Sequence, residues 1–187
     1  MSSTLKSASS LSGPKRSKTR EAILAAAIRV MSQHGIANLT LDSVAREAKV
    51  SKGGLLYHFA SKDELIVSLL DENAKDFQDS VKGEVESGPP AQGALFRAYV
   101  KKSFKKRSNR RRALIAAIIL NPQVLINSRE RRKMWQQQLE ADGASPALAE
   151  LAHLAALGLG FADFTNYCPP DDNLREQMVE LLISRLA

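Results

Sequence analysis

Thr40-Leu41-Asp42-Ser43-Val44-Ala45-Arg46-Glu47-Ala48-Lys49-Val50-Ser51-Lys52-Gly53-Gly54-Leu55-Leu56-Tyr57-His58-Phe59 is the stretch that decides the fold. Leu41, Val44, Ala45 and Ala48 recur at the spacing of one buried helix face. Thr40 stands just before them, where a hydroxyl can accept from an orphan backbone N–H. Ser51 repeats that signal for a second helix. Leu55, Leu56 and Phe59 are expected to face a core, and Lys52, Gly54, Tyr57 and His58 to point elsewhere. Two short helices joined by a tight turn result, over 40–59. Small Ala45 lets the helices cross closely. A helix start bearing a lysine and free N–H groups suits phosphate, and a helix fits the major groove, where base edges are readable. An ordinary helical hairpin with a solvated polar face fits the same pattern, so the flanks have to choose between the two.

Upstream, Ile23, Ala26, Ala27, Val30 and Met31 form one stripe of a helix expected over 17–33, and Gly35 supplies its C-terminal stop. Downstream, Ser61 and Glu64 have the spacing of a capping box opening a helix over 62–86. Together with the central stretch these residues resemble the N-terminal domain of the TetR family of transcriptional regulators. The resemblance runs from Arg20 through Ile23 to Ala27, Gly35, Thr40, Val44-Ala45, Val50-Ser51-Lys52-Gly53, Leu55, His58-Phe59 and Ser61-Lys62 to Leu65. It implies an all-α homodimer whose paired helix-turn-helix units grip a palindromic operator, with a C-terminal ligand pocket controlling release. Two positions depart from the family pattern. Lys49 stands in the turn where glycine is usual, at a cost of roughly 1–2 kcal/mol if the backbone is left-handed. Leu56 stands where tyrosine is usual, and Tyr57 lies about 100° further round the helix.

Composition agrees with an all-α regulator. Of the 187 residues 44% are hydrophobic, enough for a real core. Residues 1–70 hold 10 Lys/Arg against 5 Asp/Glu, and residues 71–187 hold 17 against 15, so the smaller N-terminal part carries most of the net +7. The single cysteine, Cys168, excludes an intrachain disulfide and fits a cytoplasmic protein. The run Ala113 to Leu120 is far shorter than the ~20 residues of a membrane helix, so no membrane role is expected. His34, His58 and His153 lack ligand spacing, and neither a phosphate loop nor a nucleophile motif is present. No enzyme, metal or cofactor is expected, only a small, mainly apolar effector.

Three regions follow: a disordered Ser-rich, basic tail over 1–16, a helix-turn-helix domain over 17–65, and a helical regulatory and dimerisation domain over 66–187. Gly88-Pro89-Pro90 reads as a linker, followed by helices over 91–106, 113–120 and 122–141. Asn121-Pro122, Ser145-Pro146 and Asp171 or Asp172 mark further helix starts. About nine helices are expected.

In the head, Lys52, Gly54 and Tyr57 are candidates for base contacts. Thr40, Ser51, His58 and Lys62 are candidates for phosphates, and Gly53 for close backbone approach. In the body, Phe96, Tyr99, Phe104, Ile118, Trp135, Phe161 and Phe164 are candidates for an effector cavity, although each also fits ordinary core. Leu151, Leu154, Gly158, Ala162, Met178, Leu181 and Leu182 are expected to pair the last two helices with their copies in a second subunit. Eight basic residues in the twelve from Lys101 to Arg112 are either a second anion contact or a solvated helix end. Two alternatives stay open: a charge-driven binder of nucleic acid or acidic partners without sequence choice, and a DNA-binding regulator controlled by a protein partner.

Overall fold

A computed structural model describes residues 14–106, 109–120 and 128–186, and the described residues are helical with no strand. The helices are α1 (Pro14–His34), α2 (Leu41–Ala48), α3 (Lys52–Leu56), α4 (Lys62–Ser87), α5 (Ala94–Phe104), α6 (Asn109–Leu120), α7 (Ser128–Ala141), α8 (Pro146–Thr165) and α9 (Asp172–Ile183). A short 3-10 turn, Ile36–Asn38, lies between α1 and α2. The chain divides into two units after Lys62.

The first unit is a three-helix head. The α1 stripe Ile23, Ala26, Ala27, Val30 and Met31 is buried, and Leu24 joins it. Gly35 ends α1 with φ 80°, in the left-handed region open to glycine, and its N–H donates to the Met31 carbonyl at 3.0 Å. Leu39, Val44, Ala45, Leu55 and Phe59 complete the buried set. A fully buried leucine or phenylalanine contributes about 1.5–3 kcal/mol. Leu56 corrects the sequence reading: it is 41% exposed, not buried. Five residues make little more than one turn, so α3 has a narrow buried side, which Leu55 takes.

The second unit is built around α5 and α8. Phe96, Tyr99, Val100 and Phe104 of α5 pack with Leu139 of α7, Ala149, Ala152, Ala156 and Leu159 of α8, and Leu182 of α9. The small alanines spaced along α8 let α5 approach closely. Ser145 caps α8 by accepting from Leu148 N–H, with Pro146 at the first helical position, and Asp171 caps α9 by accepting from Leu174 N–H. The start of α5 is different. Gly93 makes no side-chain cap, and Asp142, beyond α7, accepts from Phe96 N–H at 2.9 Å instead. Gly93 is favoured by its φ of 77°, and a Cβ there would also make the Leu186 side chain shift.

Several boundaries differ from the sequence reading. α1 begins at Pro14, inside the predicted tail, because nothing between Pro14 and Ser17 breaks the helix. α5 is shorter, beginning at Ala94 because Gly93 is left-handed. α6 begins at Asn109, earlier than its apolar run suggested. α7 is described from Ser128, so the expected start at Asn121-Pro122, with Val124 and Leu125, lies outside the described residues, as does the tail over 1–13.

A buried ion pair was not expected. Arg175 Nη2 meets Asp163 Oδ1 at 2.5 Å, with both side chains at or below 5% exposure. Arg175 also donates to the Phe104 carbonyl at 3.1 Å and the Pro170 carbonyl at 3.0 Å. One guanidinium thereby ties together α8, α9, the end of α5 and the diproline connection. By length and composition α8, with a mean hydropathy of 1.4, is the one described helix able to cross a membrane. One side of it lies in the core just described. The other carries exposed Leu151, Leu154, Leu157 and Phe161.

Candidate nucleic-acid interface and effector cavity

In the head, α2 starts with a reciprocal cap. Thr40 Oγ1 accepts from Ser43 N–H at 3.0 Å, and Ser43 Oγ accepts from Thr40 N–H at 3.0 Å. At its other end Lys49 adopts φ 57°, ψ 40°. Lys49 N–H donates to the Arg46 carbonyl and Val50 N–H to the Ala45 carbonyl, at 3.2 and 3.0 Å, the pairing of a Schellman motif. The left-handed turn therefore forms with lysine in the place that favours glycine. Ser51 follows and caps α3, its Oγ accepting from Gly54 N–H at 3.0 Å.

This local chemistry fixes where the candidate contacts stand. Lys52, Gly53 and Tyr57 are exposed, Tyr57 at 60%, while Gly54 and His58 are half-buried. Nothing lies within 4 Å of where a Cβ on Gly53 would stand, so that backbone is open to close approach. Tyr57 N–H donates to the Gly53 carbonyl, so the side chain leaves from the end of α3. Its ring meets His58 edge-on, with centroids 5.3 Å apart. Lys52 reaches back to Asp42 at 3.0 Å, an exposed pair joining α3 to α2. Arg29 and Glu47 join α1 to α2 in the same manner at 2.6 Å. The hydroxyls of Thr40 and Ser51 are engaged in their own helix caps. Lys62 is exposed at the start of α4.

In the second unit a cavity of about 280 Å³ lies between α4, α5, α6, α7 and α8. Tyr99, Ile118 and Trp135 line it as expected from the sequence. Phe77, Tyr99 and Trp135 form an aromatic triangle with centroids 5.1–5.7 Å apart. The remaining predicted lining residues fall elsewhere. Phe96 is core beyond the wall, Phe104 faces a different hollow, Phe161 is 53% exposed, and half-buried Phe164 lines no described cavity. An apolar stripe cannot say which of its members abut empty space.

The sequence reading missed the polar part of the wall: Asn73, Ser103, Ser128, Arg131, Arg132 and His153, together with aromatic Phe77. For Phe77 a signal existed, since Leu70, Ala74 and Phe77 continue one face of α4. Arg131 pairs with Asp71 at 2.6 Å and Arg132 pairs with Glu150. His153 Nδ1 lies 3.2 Å from the Tyr99 hydroxyl. Burial, and secondarily the Arg132 charge, hold the His153 imidazole below its ordinary pKa of 6.5, against an opposing pull from Glu150.

The basic cluster is not a bare polycation. Lys101, Lys102, Lys105 and Lys106 border a hollow that Glu84, Asp172, Glu176 and Glu180 also line. Lys102 binds Glu84 at 3.0 Å, and that hydrogen bond, with the lysine charge, lowers the Glu84 pKa. Arg107 and the side chains of Arg110 and Arg111 lie outside the described residues.

On the expected dimer face, Leu151, Leu154, Gly158 and Leu181 are exposed, and Ala162 is half-buried. Leu182 is a correction: at 7% exposure it belongs to the protomer's own core, with Met178 packed against that core. Adjacent residues on a helix point about 100° apart, so Leu181 and Leu182 meet different environments.

Known proteins fit this architecture. Residues 23–69 match the bacterial regulatory proteins of the tetR family, and residues 93–187 match the tetracyclin repressor-like C-terminal domain. The HTH-type transcriptional regulator SrpR of Pseudomonas putida is 38% identical over 53 residues, covering 28% of this chain and 25% of that protein. The chain thus spans about a quarter of the length of that curated relative. The crystal structure of the multidrug binding protein EbrR complexed with imidazole shares 25% identity at a TM-score of 0.69, covering 94% of this chain and 95% of that one. A TetR-family member from Streptomyces coelicolor shares 26% identity at a TM-score of 0.69, covering 91% and 99%. With both its helix-turn-helix head and its helical body matched, the chain belongs to the TetR family of bacterial regulatory proteins.

Proposed function

We propose that the protein is a sequence-specific transcriptional regulator, a repressor that binds a palindromic operator as a homodimer and is released by a small, mainly apolar effector. The observation that carries this reading is α3. Its one apolar anchor, Leu55, is fully buried, while Lys52, Gly53 and Tyr57 stand exposed beside it. A short helix held from behind offers its outer side to a groove. Lys52, Gly54 and Tyr57 would address bases, and His58 and Lys62 phosphates. Thr40 Oγ1 accepts from Ser43 N–H and donates to Ser43 Oγ, so its support for phosphate binding would be to fix the start of α2. Ser51 Oγ only accepts in its cap, and its O–H would be left to donate to phosphate.

Pairing two heads requires a second subunit. The exposed apolar residues of α8, with Leu181 of α9, supply a surface for a four-helix bundle between protomers. The multidrug binding of EbrR, named for that protein, is the precedent for placing an effector in the body of this one. As a non-enzymatic regulator it would act in the cytoplasm.

The test is selection of duplexes from a random double-stranded DNA pool at near-physiological salt, followed by sequencing. A two-fold palindrome with half-sites about one helical turn apart is expected. Tyr57→Ala should weaken binding at particular positions of that site, by ~1–3 kcal/mol if a base contact is lost. Retention with no enriched motif would mean charge-driven binding instead, and would remove the base-contact roles.

A further inference from the structure

The cavity of the second unit has an uneven chemistry that defines its ligand more narrowly than an apolar effector. Its floor is the aromatic triangle of Phe77, Tyr99 and Trp135. Its polar wall is rich in donors. Arg131 and Arg132 both line it, whereas among the described residues no aspartate or glutamate does. Asp71 and Glu150, which pair with those arginines, stand outside the lining set. Each pairing uses one terminal nitrogen for its carboxylate, and Arg131 Nη2 also donates to Ser128 Oγ at 3.2 Å. A guanidinium has five N–H donors in a planar fork, so both keep donors to spare. Ser103, a residue 94% buried, adds a hydroxyl to the wall, and no hydrogen bond takes it among the described residues. A buried hydroxyl without a partner is costly and calls for one.

We infer that this cavity binds a small aromatic carboxylate, its ring against Phe77, Tyr99 and Trp135 and its carboxylate on Arg131, Arg132 and Ser103. The assignment rests on the effector reading above and narrows it. A cation would gain the aromatic faces but would meet two guanidiniums in the wall, while the carboxylates that pair with them stand outside the lining and are already engaged. An uncharged ring would gain the stacking and leave the arginine forks unused. At about 280 Å³ the space holds one ring or two fused rings with a short acidic arm, just below the ~300 Å³ of ordinary small-molecule pockets.

Three probes that share a ring and chain but differ in charge separate these possibilities: 3-phenylpropionate, 3-phenylpropan-1-ol and 3-phenylpropylammonium. Trp135 is the chain's single tryptophan and lines this cavity as well as a second hollow, so its emission responds to a bound probe. The Arg131 and Ser103 variants, whose side chains line this cavity and not that hollow, tie the response to this site. Titrated into the full chain, the propionate should change that emission saturably, with a Kd at least about tenfold below those of the other two. Arg131→Lys keeps the charge but loses the planar fork, and Ser103→Ala removes only the hydroxyl. Each should weaken the propionate and leave the alcohol unchanged, with the thermal transition checked for each variant. Equal or tighter binding of the ammonium or the alcohol would overturn the inference, as would no saturable change with any probe. Release of the selected operator is read separately. Binding in the expected order without release would keep the ligand class and reject the effector role. Release without that order would do the reverse.

Discussion

The head and the body are held by different kinds of contact. In the head, the polar contacts are short-range caps and exposed ion pairs: Thr40 with Ser43, Ser51 with Gly54, Lys52 with Asp42, Arg29 with Glu47. In the body, the polar contacts that matter are buried or bridge distant segments: Arg175 with Asp163 and the Phe104 carbonyl, Asp142 with Phe96, Tyr99 with His153. Exposed pairs contribute little, typically 0–1 kcal/mol, because water already solvates both charges. A buried charge that loses its partner is expensive. The head is thus assembled from modest, nearly independent contributions, whereas a single side chain can undo the body.

The sharpest test of that contrast is Arg175→Ala. It removes the arginine from the buried Asp163 carboxylate and should cost about 3–5 kcal/mol in urea unfolding. Replacing both partners with apolar residues, Asp163→Leu with Arg175→Met, should recover much of that loss. A cost under about 1 kcal/mol for Arg175→Ala would show that the pair resembles the exposed ones, and the contrast would fail. In the head, Ser51→Ala should cost about 1 kcal/mol by leaving Gly54 N–H uncapped. Because Ser51 positions the start of α3, operator affinity should fall with it. Equal loss of stability from Ser51→Ala and Arg175→Ala would remove the distinction from the other side.

A third test uses pH and concerns only the body. The folded state holds His153 below 6.5, so the unfolded chain binds the proton more readily. Stability from this group is complete above about pH 6.5 and falls as the pH drops from there toward the folded value. His153→Gln should flatten that part of the stability–pH curve, compared between the two proteins by denaturant titration. An unchanged slope would mean that another group carries it.

The same contrast governs what the sequence makes legible. Caps at Thr40, Ser51, Ser145 and Asp171 are readable because each hydroxyl or carboxylate meets a backbone N–H three residues on. The left-handed Lys49 is readable because its place in the turn is fixed by neighbours on both sides. Arg175 is not readable, since its partners lie 12 and 71 residues away and nothing in its own surroundings marks it as buried. The cavity was legible by half. Tyr99, Ile118 and Trp135 announce an apolar wall, but Ser103, Arg131, Arg132 and His153 look like surface residues until α5, α7 and α8 come together. Leu56 and Leu182 show the limit of periodicity, which gives the stripe of a helix but not how wide a neighbour covers it.

The remote cap on α5 has a consequence for the order of events as the chain is made. An 11-residue helix without a local N-cap is below the length that sustains itself in water. The carboxylate that finishes it, Asp142, follows Phe96 by 46 residues. The segment that becomes α5 therefore leaves the ribosome unable to hold its shape and waits for α6 and α7 to be synthesised. The head, complete in sequence by Lys62, needs nothing that comes later to cap its helices. Synthesis runs head first, and the central helix of the body can complete its N-terminal cap only once Asp142 has been made.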